Sequence, residues 1–373
     1  MQNLSQNGCS VRVASSAELI LTPTAVALGK FDGLHRGHQR VIQPILHPNQ
    51  AGGAFSYSSL ASRQSSGSAH ALHGSTEPNF GAISRPNRHV ISTVVTFSPH
   101  PQEFFSGQPR ALLTPLDEKA QLLRSLGIEQ LVLVPFDKEL SALTPEEFVE
   151  TILVQRLQAV QISVGQDFRF GSKRSGNASD LQIIAAKYNI PVTIVPLQTC
   201  VDQIPVSSSC DFQNTQEARI STSLIREILE SGDISLANQL LGRPYSLIGN
   251  VIQGQQLGRT IGFPTANLQL PPDKFLPCQG VYAVRVFILE QTAESENAVW
   301  GVMNIGNRPT VGGTQASIEV HLLDFISDLY GKKLIVQLVK FLRPETKFPN
   351  LEALKTQIQL DCTAAREVLI NTL

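Results

Sequence analysis

The chain has 373 residues, 42% of them hydrophobic and 16% charged, with a formal net charge of −1. That length supports two domain cores, and the near-neutral charge excludes a general electrostatic pull toward nucleic acid or anionic lipid, so any anion must be held locally. One Trp and five Tyr also leave little material for a base-stacking nucleic-acid surface.

The N-terminal 20 residues, MQNLSQNGCSVRVASSAELI, form a tail without the basic start and apolar core of a secretory signal, and no apolar run approaches the roughly 18 residues needed to span a bilayer. The five cysteines Cys9, Cys200, Cys210, Cys278 and Cys362 make no CxxC pair and no zinc-spaced cluster. We therefore expect a cytoplasmic protein with reduced thiols; its expected assembly is a monomer or weak homo-oligomer.

From residue 24 onward, short β-branched runs alternate with helical periodicity. TAVAL, STVVTF (92–97), QLVLVPF (130–136), QISVG (161–165) and PVTIVP (191–196) read as strands; DEKAQLLRSLG and TPEEFVETILVQRL read as helices, the second opening on a Thr-Pro-Glu-Glu start. Alternation of this kind predicts an α/β domain over residues 21–221 with a parallel sheet. The stretch 49–88, rich in Ser, Gly, Ala and Asn, has no sustained period and reads as a flexible insertion. His47, His70, His73 and His89 lie in or beside it, without the cysteines or carboxylates that a metal site would add.

Two helices, TSLIREILESG and ISLANQLLG, are expected to form a helical linker over residues 222–242. Beyond it, YSLIGNVIQG, FPTANLQL, VYAVRVFIL, AVWGVMNIG, ASIEVHLLDF and KLIVQLVKFL are strand-like and separated by Gly, Pro and Asp turns. Six close-set strands without intervening helices predict a small antiparallel β-barrel over residues 243–373, closed by the amphipathic helix LEALKTQIQLDCTAAREVL.

Chemistry concentrates in two places. GKFDGLHRGH (29–38) lies between a strand and a helix, where outward-facing amides favour an anion and where ligands sit in open parallel sheets. Gly33 and Gly37 permit close backbone approach, and His35 and His38 can donate to phosphate oxygens. Two histidines alone are too few for a metal, and the fragment by itself also allows a plain turn. Neither a GxxxxGK[ST] loop nor a GxGxxG fingerprint is present. RISTSLIR (219–226) adds Ser221, Thr222, Ser223 and Arg226 at a helix start: an ordinary N-cap, or hydroxyl and guanidinium donors for nucleotide phosphates. In the barrel half, GQQLGRTIGFPTAN (254–267) joins glycines to Thr265 and Asn267, either a tight barrel turn or hard oxygen ligands suited to Mg²⁺. Glu319 alternates with apolar Ile318 and Val320, so it occupies the opposite strand face, where a base for a substrate hydroxyl could stand.

GKFDGLHRGH resembles the HxGH motif of the nucleotidyltransferases, and RISTSLIR resembles their second signature. TFSPHP (96–101), VGQDFRFG (164–171), the PTAN run, GVMNIGNRPT, IEVHLLDF and FLRPE together are similar to the prokaryotic bifunctional riboflavin kinase/FAD synthetase family. The resemblance implies a Rossmann-like nucleotidyltransferase domain followed by a six-stranded riboflavin kinase barrel, using riboflavin, FMN and ATP with Mg²⁺. It implies that His35 and His38 hold the ATP α-phosphate, that Gly33, Gly37, Ser221, Thr222, Ser223 and Arg226 contact phosphates, and that His100 and Asp167 shape the nucleotide and flavin pocket. In the kinase it implies Gly258 and Gly262 along the phosphates, Thr265 and Asn267 on Mg²⁺, and Glu319 as base. Asn304, Arg308 and Arg343 fall in family motifs without an individual role, and His321 is expected to be structural. Thr-Ser at 222–223 stands where the signature more often reads Ser-Thr, and the insertion departs from the family's usual pattern.

Overall fold

The computed structural model describes residues 11–15, 19–46, 89–199, 219–254, 258, 261–289, 298–310 and 313–372. The insertion 49–88 and His47, His70 and His73 lie outside the described residues.

Among the described residues, the α/β half contains the five anticipated strands, a sixth that joins their sheet and a separate short hairpin. β1 (Arg12–Ala14), β2 (Thr24–Leu28), β3 (Ile91–Ser98), β4 (Gln130–Pro135) and β5 (Ala159–Gly165) precede the short hairpin β6 (Arg169–Phe170) and β7 (Gly176–Asn177), and β8 (Val192–Val195) follows. The six-stranded sheet runs in the order β1-β4-β3-β2-β5-β8, and every neighbouring pair is parallel. The three-residue β1 is too short to show a period, so only its pairing with Gln130, Leu131 and Val132 reveals it. Every residue of β2 is buried, as a central parallel strand covered on both faces requires. Val26 and Leu28 pack into one apolar cluster, Ala25 and Ala27 into another.

Helices α1 (Arg36–Ile42), α2 (Pro101–Ser106), α3 (Leu116–Ser125), α4 (Lys138–Ala142), α5 (Pro145–Phe148) and α6 (Ala178–Ala186) connect the strands. Thr144 caps α5 in a reciprocal capping box with Glu147, as the Thr-Pro-Glu-Glu start predicts, and the helix continues as a π-helix over Val149–Arg156. The chain steps from β2 through β3 to β4 on one side and then returns to place β5 against the other side of β2. The switch point therefore lies between β2 and β5, which fixes where a ligand crevice opens.

Helices α7 (Thr222–Ser231) and α8 (Ile234–Leu241) are more than a link. Their Ile225, Leu229, Ala237, Leu240 and Leu241 are fully buried in the same cluster as the barrel's interior residues Leu247, Tyr282, Met303 and Leu338, and Leu113 of the α/β half joins it. The barrel itself is closed, in the order β10-β13-β12-β11-β14-β9. Its strands are β9 (Ser246–Ile252), β10 (Ala266–Gln269), β11 (Gly280–Leu289), β12 (Val299–Thr310), β13 (Gly313–Leu322) and β14 (Lys333–Arg343). The terminal helix α9 (Leu351–Ile370) covers part of the barrel's outer face, burying Cys362, Ala365 and Leu369 against Val281, Ala283 and Val302.

Candidate active sites

Loop 29–35 leaves the carboxyl end of β2 in a constrained path. Phe31 (φ 48°) and Leu34 (φ 44°) adopt left-handed backbone conformations while fully buried, so core packing holds a geometry that such residues seldom adopt alone. Gly33 has φ 87°, and a Cβ there would lie 2.8 Å from Leu113 Cδ1; only glycine fits. The path delivers His35 to the N-cap of α1, where its Nδ1 accepts from the His38 amide at 3.3 Å. The rings stack at 3.7 Å with an interplanar angle of 18°, and Phe31 closes edge-on against His38 at 5.3 Å.

Burial lowers the His35 pKa to about 4, and the nearby Arg219 guanidinium adds to the shift. Burial also pushes His38 well down, and the His35 ring works in the same direction. Both imidazoles are therefore neutral at pH 7. With Nδ1 of His35 accepting, its proton resides on Nε2, which is thereby a fixed donor.

Asp32, inside the motif but not singled out from sequence, is the joint of this site. Its Oδ1 accepts from the Thr114 amide at 3.1 Å, its Oδ2 from Arg226 Nη2 at 3.0 Å, and its carbonyl from Thr222 Oγ1 at 3.0 Å. Thr114 Oγ1 in turn accepts from the Gly33 amide at 3.0 Å. The two phosphate-motif candidates are thus brought together, 194 residues apart at Asp32 and Arg226. Ser221 caps α7, accepting from the Leu224 amide, and Thr222 is tied to the loop, whereas Ser223 is exposed.

Asp167, just beyond β5, forms an ion pair with Arg219, joining VGQDFRFG to the start of RISTSLIR across the β2/β5 switch point. His100 caps α2, its Nδ1 accepting from the Gln102 amide at 3.1 Å. Burial together with the Lys30 and Arg110 charges lowers its pKa to about 4. Lys119 is buried and reaches the Lys30 carbonyl at 3.4 Å, and burial lowers its pKa. Lys30, Arg110 and Lys119 were invisible as site residues in the sequence, because nothing local distinguishes them from surface cations. Beside His100, Phe104, Phe105 and Phe136 form an edge-to-face group with centroid separations of 5.3–5.8 Å, and Phe105 is 72% exposed. An open aromatic surface next to cationic donors suits a planar heteroaromatic group bearing a phosphate.

The second site lies on the outside of the barrel and follows from strand register. Asn267 of β10 pairs with Glu319 of β13, Glu319 with Asn304 of β12, Asn304 with Val281 of β11, and Val281 with Arg343 of β14. Four candidate polar residues therefore fall in one row across the strands, on the face opposite the buried Ile318 and Val320. Thr265 Oγ1 lies 3.4 Å from Glu319 Oε2, and Ser317 Oγ 3.4 Å from Oε1. Asn304 Nδ2 donates to Glu345 at 3.4 Å. Hydroxyl, amide and carboxylate oxygens so grouped are a hard donor set that fits Mg²⁺.

Gly258 folds over this set: a Cβ there would lie 2.3 Å from the Phe263 carbonyl and 3.3 Å from Thr265 Oγ1, and its own carbonyl accepts from the Phe263 amide at 2.8 Å. Gly262 stands in the same turn at φ 88°. His321 Nδ1 lies 2.8 Å from the Pro264 carbonyl and its ring packs on Phe263, a structural position. Arg343 clasps buried Asp361 of α9 through Nε and Nη2 at 2.7–3.2 Å, so it fastens the helix to the barrel.

The FAD synthetase family model matches residues 18–57 and 82–210, and the riboflavin kinase family model matches residues 241–369. Segment 58–81, within the insertion, is left unmatched between the two parts of the first. A protein of Escherichia coli (strain K12) described as bifunctional riboflavin kinase/FMN adenylyltransferase is 35% identical over 343 residues, 92% of this chain and 91% of its own length. Its namesake from Haemophilus influenzae is 33% identical over 357 residues, 95% of this chain and 97% of its own length. A crystal structure of a macrolide-efflux protein from Streptococcus pneumoniae superposes with a TM-score of 0.71 at 25% identity, covering 95% of this chain and 98% of that one. Among the described residues, no helix is long and apolar enough to cross a membrane.

Proposed function

The chain belongs to the bifunctional riboflavin kinase/FMN adenylyltransferase family and makes FMN from riboflavin and FAD from FMN; from that premise we propose that residues 21–221 carry the adenylyltransferase, residues 222–242 a helical linker, and residues 243–373 the kinase. Both reactions run in the cytoplasm with free riboflavin, FMN and ATP, independently of nucleic acid and membrane.

In the adenylyltransferase, the FMN phosphate oxygen attacks the ATP α-phosphorus, the bond to the β-phosphate oxygen breaks, and pyrophosphate leaves. His35 and His38 hold the α-phosphate. Being neutral, they donate hydrogen bonds that strengthen as negative charge accumulates on the equatorial oxygens, which is where catalysis by positioning gains its rate. Ser223 and Arg226 face the departing phosphates, Ser221 and Thr222 hold the helix start against the loop, and the amides around Gly33 and Gly37 line the approach. His100, Asp167 and the Phe104, Phe105 and Phe136 group receive the flavin side. The observation that carries this reading is the Asp32 joint, which fastens the histidine loop and the Ser/Thr/Arg helix start into one anion-facing unit.

In the kinase, Glu319 takes the proton of the riboflavin ribityl hydroxyl as that oxygen attacks the ATP γ-phosphorus and ADP leaves. Thr265 and Asn267 would hold Mg²⁺, which supplies charge neutralisation at the phosphates when bound. Gly258 and Gly262 leave room for the phosphates beside Thr265. Incubation of purified protein with riboflavin, ATP and Mg²⁺, followed by chromatographic separation of the flavins, tests the whole reading: FMN and then FAD should appear, and absence of both refutes it.

A further inference from the structure

We propose that Phe275, a residue of the barrel half, is a positioning residue for the adenylyltransferase: its ring fixes the plane in which the Arg226 guanidinium meets the ATP phosphates. The inference rests on the reading that Arg226 contacts those phosphates.

Arg226 is held on one edge and one face. Its Nη2 donates to Asp32 Oδ2 at 3.0 Å and to the Ala111 carbonyl. Its Cζ lies 4.7 Å from the centroid of the Phe275 ring. Nε is buried and has no hydrogen-bond partner among the described residues, so the Nη2 bonds and the aromatic face are what locate the guanidinium. Asp32 controls only the distance of one nitrogen. The aromatic face controls the tilt of the planar fork, and an aliphatic side chain of similar bulk cannot do that, because the attraction comes from the ring quadrupole.

Phe275 is itself anchored in the α/β half. Its amide donates to the Leu112 carbonyl at 2.8 Å, and the Leu112 amide donates to the Asp273 carbonyl at 2.5 Å. Between them, Lys274 drives its ammonium into the α/β half, reaching the Leu113 carbonyl at 2.8 Å and buried Glu118 at 2.5 Å. Tyr245 donates to the Phe275 carbonyl at 2.6 Å. The other side of the same 111–114 segment holds the catalytic loop, through Thr114 to both Asp32 and Gly33. One short segment therefore aligns the barrel turn 271–276 with the histidine loop, and Arg226 spans the two.

The test uses the full-length chain, with FAD formation measured while ATP and FMN are varied separately, and riboflavin phosphorylation measured on the same preparations. Phe275→Leu should lower kcat/KM for ATP about fivefold to thirtyfold, the range between an exposed and a desolvated cation–π contact, with KM for FMN and riboflavin phosphorylation unchanged. Phe275→Tyr, which keeps the ring face, should restore most of the rate. In an Arg226→Ala background, Phe275→Leu should cause no further fall. A silent Phe275→Leu, an undiminished fall on top of Arg226→Ala, or a parallel loss of riboflavin phosphorylation would overturn the proposal. If Arg226→Ala alone leaves FAD formation intact, the assignment of Arg226 fails; if Arg226→Ala is crippled while Phe275→Leu is silent, only the positioning role fails.

Discussion

The two proposed active sites of this enzyme are assembled by opposite routes. The proposed adenylyltransferase site gathers Asp32, His35, His100, Thr114, Asp167, Arg219 and Arg226 at one end of a parallel sheet, where Asp32 is bonded to Thr114 and Arg226, and Asp167 is paired with Arg219. The kinase site lies on adjacent antiparallel strands, where the register Asn267–Glu319–Asn304 already places the polar groups side by side. A parallel sheet presents loops, so its chemistry depends on long-range joints such as Asp32. A barrel presents a pleated surface, so its chemistry is carried by backbone pairing. The first site should therefore respond sharply to lost joints, whereas the second should tolerate changes away from its row.

The comparison is tested most severely by Glu319→Ala. Loss of the base should reduce riboflavin phosphorylation roughly 10²–10⁴-fold while supplied FMN is still converted to FAD; persistence of kinase activity would remove Glu319 from that role. His38→Ala should do the reverse, cutting FAD formation about 10²–10³-fold by analogy with removal of one oxyanion donor, so that FMN accumulates from riboflavin. If a folded His38→Ala protein loses both activities, the two sites are not separable.

Breaking the barrel's own joint comes next. Asp361 is buried and Arg343 is bonded to it by three contacts, so Asp361→Ala leaves a guanidinium without its partner and should destabilise the barrel by about 3 kcal/mol. Denaturant melts should report the loss, together with reduced riboflavin phosphorylation, while FAD formation from supplied FMN is largely kept.

The smallest expected effect is a pH slope. His35 has its folded pKa lowered to about 4 from the ordinary 6.5. Below pH 6.5 the unfolded chain takes up a proton that the folded site refuses, so this contribution to stability is complete above pH 6.5 and disappears as pH falls to about 4. His35→Gln should show a shallower fall in melting temperature over that interval. An identical slope in both proteins would mean that His35 is not the group being titrated.

Much of the architecture was legible. The alternating strands and helices, the Thr144 cap and the count of six barrel strands follow from periods and caps that act over a few residues. Of the proposed sites, the histidine motif, the 219–226 loop, Thr265, Asn267 and Glu319 were singled out from residue type and spacing. Lys30, Asp32, Arg110 and Lys119 were not, since each is an ordinary charged residue in its local context and acquires meaning only beside the others. The same holds for residues 222–242, which read as a link and whose apolar side chains pack into the cluster that fills the barrel.

Sequence alone determined the element types, the two-part plan and the family, because hydrophobic period, capping and signature spacing are local properties that survive without neighbours. Tertiary structure decided the pairing of Asp32 with Arg226 across 194 positions and of Lys274 with Glu118 across 156. It also decided the neutrality of the two histidines and the union of four polar residues in one row around the barrel. These depend on which groups are desolvated together, and burial is a property of the folded molecule rather than of any stretch of chain.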